Sequence, residues 1–168
     1  MSKFVNISGP VIGTTVYCNG KLVARDTTVT LPEVTPITAD LQAMGTYSMP
    51  IWQLIESMES TINKIGADLG LRAIIKPDMK QLEFRWVQTI TYANGITKNV
   101  GCKAFIKGVP NKIPGIGVTV GEASENECTI STTRYNLFFD GQEILLIDRL
   151  AGVVRIAGKN YADMNSLL

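Results

Sequence analysis

Three cysteines, some clustered acids and one glycine-rich stretch are the residues of this chain with the means to do chemistry. Cys18, Cys102 and Cys128 lie far apart and form no C-x-x-C pair. A thiolate nucleophile or redox centre needs an activating neighbour, and the usual one is missing because the chain has no histidine. That also removes the commonest general base and the most frequent metal ligand. The cysteines therefore read as small apolar residues of buried or half-buried strands in a reducing compartment. Glu56 and Glu59 have no partner chemistry beside them and read as surface or contact charges, not as hydrolytic acids. Glu122, Glu125 and Glu127 lack the calcium-loop pattern and read as a solvated loop. Gly115 to Gly121 has neither G-x-G-x-x-G spacing nor Lys-Ser/Thr after its last glycine. It is expected to be a surface loop with a short strand over 117–121. No catalytic residue, metal ligand or cofactor site is expected.

Charge and hydropathy narrow the classes further. The chain has 168 residues, enough for one domain (1–168) with a real core. Lys and Arg number 16 against 15 Asp and Glu, so no overall basic excess grips nucleic acid. Apolar residues make up 45%, yet no run approaches a membrane span, and the opening residues lack the apolar core of a signal peptide. The Asn6-Ile7-Ser8 triplet is thus read as a chance glycosylation match. High apolar content without a membrane span implies surface that a partner covers.

Most of the chain reads as strand. Val11 to Cys18 and Lys21 to Leu31 are expected to pair across a turn at Asn19-Gly20. A second hairpin is expected from Val34 to Met44, with a turn near Gly45 and a return arm from about Met49 to Ile65. Ile37, Ala39, Leu41 and Ala43 alternate there with Thr38, Asp40, Gln42 and Met44. The return arm has two readings, since Ile51, Leu54, Ile55, Met58 and Ile62 have helical spacing and a helix over 50–64 competes with a strand. A helix of at most two turns is expected from Asp68 to Lys76, capped by Asp68, weakened by Gly70 and stopped by Pro77.

The sharpest local argument concerns Lys80 to Lys107. Leu82, Phe84, Trp86, Ile90 and Tyr92 occupy even positions of the first arm, and Val100, Cys102, Ala104 and Ile106 those of the second. Odd positions are mainly polar. A two-residue turn at Asn94-Gly95 would put the apolar sets on opposite faces. A three-residue turn, Ala93-Asn94-Gly95, with Gly95 left-handed, puts them on one. It sets Tyr92 against Ile96, Trp86 against Cys102, Phe84 against Ala104 and Leu82 against Ile106. Further on, Arg134 to Phe139 and Gln142 to Asp148 flank a turn at Asp140-Gly141. A short strand follows over 152–158. Tyr161, Met164, Leu167 and Leu168 then predict a closing helix over 160–168.

The run from Tyr135 to Asp148 has the form Y-x-L-x-x-D-G-x-E-x-x-x-I-D and is followed by G-V-x-x-I-x-G from Gly152. It resembles the C-terminal end of the major tail tube proteins of contractile-tailed (P2-like) bacteriophages and R-type tailocins. V-T-L-P-E-V-T, from Val29 to Thr35, is similar to that family's S-L-T-L-P-K-L, and the stretch around Pro50-Ile51-Trp52 matches its segment after a glycine turn. The resemblance favours a strand over 50–64. It departs at Ser8 to Gly13 and at Gly45 to Ser48, where the family has an N-V-F-x-D-G lead-in and, in several relatives, a glycine pair.

The resemblance implies a mainly β fold: a small β-sandwich or barrel with long hairpins, one short internal helix and a C-terminal helix. It implies a protomer of a hexameric ring whose paired hairpins form a continuous β-barrel lumen. The polar face carrying Glu83, Arg85, Thr89, Thr91, Thr97 and Asn99 would line that channel, while the apolar face packs on an outer sheet. From alternation alone, the same residues read as an ordinary solvated face. Implied partners are the chain itself, a tail sheath protein, tape measure, baseplate and terminator proteins, and DNA in passage. The implied place is a virion tail or tailocin particle assembled in the host cytoplasm, with Asp163 and Asn165 toward the sheath. Two other readings stand beside it: a type VI secretion-like tube protein, and a small β-barrel that binds a ligand such as a flavin.

Overall fold

A computed structural model describes residues 6–162 and 167–168. The chain opens with β1 (Ile7–Cys18), β2 (Lys21–Arg25) and β3 (Thr28–Thr30), followed by β4 (Pro36–Gln42), β5 (Thr46–Ile55) and β6 (Met58–Ile65). Then come α1 (Leu69–Ile75), β7 (Lys80–Thr91), β8 (Thr97–Lys112), β9 (Glu125–Phe139), β10 (Gln142–Asp148), β11 (Val153–Ile156) and β12 (Lys159–Asn160). The fold is mainly β, as expected. One antiparallel ten-stranded sheet runs β12-β11-β10-β9-β8-β7-β1-β2, with β3 and β6 branching from it, and β4-β5 forms a separate two-stranded sheet.

The β7-β8 hairpin has the expected parity. Leu82 lies opposite Ile106, Phe84 opposite Ala104 and Trp86 opposite Cys102. The Tyr92 amide donates to Ile96 O at 2.9 Å, the Gly95 amide to Tyr92 O at 2.9 Å, and Gly95 has φ +82°. Only a residue without Cβ adopts that φ at little cost. Asn19-Gly20 and Asp140-Gly141 turn with φ of 50°/82° and 50°/76°, the pair of left-handed residues that two-residue hairpins use.

β9 organises the rest. Its first half, Glu125 to Thr132, pairs with β6, and its second half, Arg134 to Phe139, pairs with β10. β8 runs along both, through a shift between Lys107 and Gly108. The sheet thereby curls over one core that includes Val16, Met58, Ile62, Leu71, Ile74, Leu82, Phe84, Ala104, Ile106, Ile130, Tyr135 and Ile147.

Several expectations change. The first strand starts at Ile7, not Val11. The strand expected over 21–31 breaks at Asp26, whose φ is 49°, and Thr14 and Thr27 exchange hydrogen bonds of 2.9 and 3.0 Å at the break. β2 stays with β1 while β3 crosses to β6. Residues 50–64 are strand, as the resemblance implies, but the single return arm expected from about Met49 to Ile65 divides at Glu56-Ser57 into β5 and β6. Met58, Ser60, Ile62 and Lys64 alternate inward, which a helix would not do, because β6 is paired by β3 and β9. The second arm of the third hairpin runs on to Lys112. No strand forms over 117–121: Val118 and Val120 are exposed and no ladder reaches them. The closing helix does not begin at Asn160, which pairs with Arg155 in β12. The rest of that segment, 163–166 with Asp163 and Asn165, lies outside the described residues.

Helix α1 forms where expected, with the Asp68 side chain accepting from the Leu71 amide at 3.1 Å. Lys64, nearly buried, bonds Asp68 at 3.1 Å and Val23 O at 3.2 Å, tying the helix start to β2. Gly70 has a structural reason beyond its low helix propensity: a Cβ there would sit 2.3 Å from Val23 O. Propensity alone predicts that Gly70→Ala stabilises by about 1 kcal/mol. Overpacking against backbone predicts a net loss of about 2–3 kcal/mol instead. Urea denaturation decides the sign.

Tyr135 is 3% exposed, and burial pushes its phenol up from 10.0 to about 12. The native state therefore prefers the neutral phenol. That preference is whole below pH 10 and is lost as pH rises through 12. Stability should fall by about 2–3 kcal/mol more between pH 9 and 12 in wild type than in Tyr135→Phe. Parallel curves in the two proteins would refute this.

Candidate functional site

The outer face of β7 and β8 gathers every residue expected to line a channel. Glu83 and Arg85 form an ion pair of 2.5 Å, and the Arg85 guanidinium sits 4.6 Å from the centre of the Tyr17 ring. Toward the hairpin tip, Thr89 donates to Asn99 at 3.1 Å, and Thr91 lies opposite Thr97. The exposed Val87 separates the two groups. The opposite face is core at its base, where Phe84 and Leu82 are buried, and half-buried at the tip, where Ile90 and Tyr92 stand.

The turns brace this hairpin. Asn19 donates its amide to Gln81 O at 2.9 Å and accepts from the Gln81 amide at 3.2 Å, so the β1-β2 turn grips the start of β7. Asn94 Oδ1 accepts from the Ile96 amide at 3.1 Å inside its own turn. Asp140 donates its amide to Gly101 O at 3.2 Å, anchoring the β9-β10 turn on β8.

A second amphipathic hairpin stands by itself. In β4-β5, Ile37, Ala39 and Leu41 lie opposite Ile51, Met49 and Tyr47. These six side chains share one face, and Ile37, Leu41, Tyr47 and Met49 are 41–53% exposed. The other face carries Thr38, Asp40, Gln42, Thr46 and Ser48, with Ser48 donating to Asp40 at 2.6 Å. An isolated two-stranded ribbon is marginally stable in water, and an uncovered apolar face of this size marks a contact surface.

Strand edges are open beside both hairpins. β2 pairs with β1 only from Thr15 to Cys18, and β9 meets β8 only from Cys102 onward. The outer edges of β1 before Thr15 and of β8 from Thr97 to Val100 therefore carry no ladder partner among the described residues. Between β1 and β3 a cleft of about 530 Å³ opens, lined by Val11, Ile12, Thr28, Val29, Leu31 and Trp86 among others.

The chemistry-capable residues are dispersed. Glu122, Glu125 and Glu127 are exposed, and Glu59 accepts from Asn111 at 3.0 Å. All three cysteines are buried and free, and burial pushes each thiol above its ordinary range. Alternation along one hairpin reveals Lys103 and Lys107 on the outer face. It does not reveal Phe138 and Arg134, which lie opposite them, because that register crosses a long loop.

Two amphipathic hairpins and unpaired ladder edges on a curled sheet define a β module with surfaces left for partners. The family model described as phage tail tube protein FII matches residues 10–165, and the chain belongs to that family. It is a structural tail tube subunit. No curated protein sequence matches it. Its fold is similar to a chain of the sheath/tube terminator, in the extended state, of the extracellular contractile injection system PVC. That match has a TM-score of 0.53 and 17% identity, over 77% of this chain and 95% of the other. A chain of the PVC sheath-tube complex in the extended state is similar with a TM-score of 0.50 and 14% identity, over 75% and 88%.

Because the thiols are buried and held protonated, native protein at neutral pH should react with an aromatic disulfide reagent at least about tenfold more slowly than unfolded protein. Rapid reaction of Cys18, Cys102 or Cys128 in the native state would show that the core opens there.

Proposed function

We propose that this tube subunit builds the inner tube of a contractile tail, as stacked hexameric rings inside a sheath. One tube domain spanning 1–168 supplies each protomer and has no catalytic role. The β4-β5 ribbon carries the reading. Four residues of its apolar face, Ile37, Leu41, Tyr47 and Met49, are exposed among the described residues, and a neighbouring copy is the partner present at matching concentration. Head-to-tail contacts of this kind close into rings when the rotation allows. With β4-β5 laid beside β7-β8 of the next protomer, the polar faces join around a wide lumen. Glu83, Arg85, Thr89, Thr91, Thr97 and Asn99 then line the channel, joined by Asp40 and Ser48 from the ribbon.

Sheath and terminator proteins are the partners that the two similar structures suggest. A tape measure and a baseplate complete the particle, which forms in the host cytoplasm and passes DNA or, in a tailocin, opens a conduit across a membrane. A secretion or injection tube is the same reading at the level of the subunit. Sheath and tape measure genes beside this one separate a phage or tailocin from an export system.

Negative-stain microscopy of the purified protein tests the proposal, with hollow rods or rings of uniform width expected. Leu41→Thr with Tyr47→Thr, which keeps β-branched residues at two exposed facing sites, should leave subunit stability within about 0.5–1 kcal/mol. The same pair should raise the assembly threshold at least about tenfold, through lost apolar burial of about 1.5–3 kcal/mol per side chain. Compact particles of wild type at every concentration, with sheath and baseplate extract present, would sink the reading.

A further inference from the structure

The near-balanced charge of the whole chain conceals a local segregation. Across the outer face, Arg85 lies opposite Lys103 and Gln81 opposite Lys107. Lys107 in turn lies opposite Arg134, Lys103 opposite Phe138 and Phe105 opposite Asn136. Four cations thus stand around the edge-to-face pair Phe105–Phe138, whose ring centres are 5.8 Å apart, while Glu83 lies opposite Phe105 and Glu143 opposite Phe138. Glu83 engages Arg85 and Glu143 engages Arg155, and no carboxylate lies within ion-pair distance of Lys103, Lys107 or Arg134 among the described residues. Asp148, opposite Arg134 on β10, is instead held by the amides of Leu150 and Ala151 at 3.1 Å each. Like charges directly opposite one another weaken a strand pair, so nothing in the isolated fold rewards this arrangement.

Two adjoining hollows share Phe105. One, of about 170 Å³, is lined by Gln81, Lys107, Arg134 and Asn136; the other, of about 310 Å³, by Lys103 and Phe138. Cations beside aromatic rings match one ligand class. Phosphates take the cations, and a base stacks on a ring. A plain polyanion would leave the rings unused.

We propose that Lys103, Lys107 and Arg134, with Phe105 and Phe138, form a binding face for a single nucleic-acid strand with accessible bases. That this face is the channel wall, and so meets cargo, rests on the reading above; the binding chemistry does not. Three phosphate contacts give a log-log salt slope of about −2 for a single strand.

Fluorescence anisotropy of the full-length protein tests this with a 20-nucleotide single strand, the matching duplex and polyglutamate. The single strand should bind tightest, with that slope. Lys103→Gln/Lys107→Gln/Arg134→Gln should weaken it at least tenfold, and Lys21→Glu on the distant β1-β2 turn should not. Phe138→Leu, which keeps the charge, should weaken single-strand binding severalfold with the slope unchanged. Photocrosslinks from a bromodeoxyuridine strand should fall on peptides holding Phe105 or Phe138. Equal binding of duplex and polyglutamate, absent binding at low salt, or an unaffected triple variant would overturn the proposal. Rods without strand binding overturn this inference alone; strand binding without rods overturns the ring reading alone.

Discussion

Side chains alternate across a strand, so the length of one turn decides which residues of a hairpin share a face. Ala93-Asn94-Gly95 makes that decision here. With Gly95 at φ +82°, the arms of β7 and β8 meet in a register that puts Leu82, Phe84, Trp86, Cys102, Ala104 and Ile106 together. One residue fewer would turn Val100 to Ile106 outward and bury Lys103 and Lys107. The core, the polar outer face and the pairing of β8 with β9 all inherit this parity. β8 and β9 are long enough to carry it across the molecule, since β9 spends one half on β6 and the other on β10.

A sheet that curls around one core still has ends. In this subunit the ends are not blunted: among the described residues β1 carries an unpaired edge beside an apolar cleft, β8 carries another, and β4-β5 exposes Ile37, Leu41, Tyr47 and Met49. Water tolerates scattered apolar residues better than an amphipathic two-stranded ribbon with one apolar face largely open. A second copy that supplies both ladder and apolar surface, as proposed above, answers both features. Membership of the tail tube family gives that solution a setting.

Charge follows a similar logic at another scale. A net charge of +1 says little about a face on which Lys103, Lys107 and Arg134 converge from two strands. Arg85 is neutralised locally by Glu83 and spread over Tyr17, while its neighbours are not. The outer face is thus polar and hydrated at the hairpin tip, and cationic with aromatic relief at its base.

Local chemistry determined a good deal from sequence alone. Asn-Gly and Asp-Gly set turns, Asp68 capped a helix and Pro77 followed its end. Alternation assigned faces in β7 and β8. The tail tube wording of Tyr135 to Asp148 pointed to the family that the match over residues 10–165 shows. Other features depended on partners distant in the chain. Ile51 to Ile62 fits both a strand and a helix, and the choice fell to strand because β3 and β9 flank β6. Gly70 looked like a flaw in α1 until Val23 O stood 2.3 Å from where its Cβ would be. The break at Asp26 answers to Thr14, and the cationic face needed the β8-β9 register. Periodicity and turn residues act over a few bonds and are written in order; ladders, close backbone approaches and charge clusters join residues that only the folded chain brings within reach.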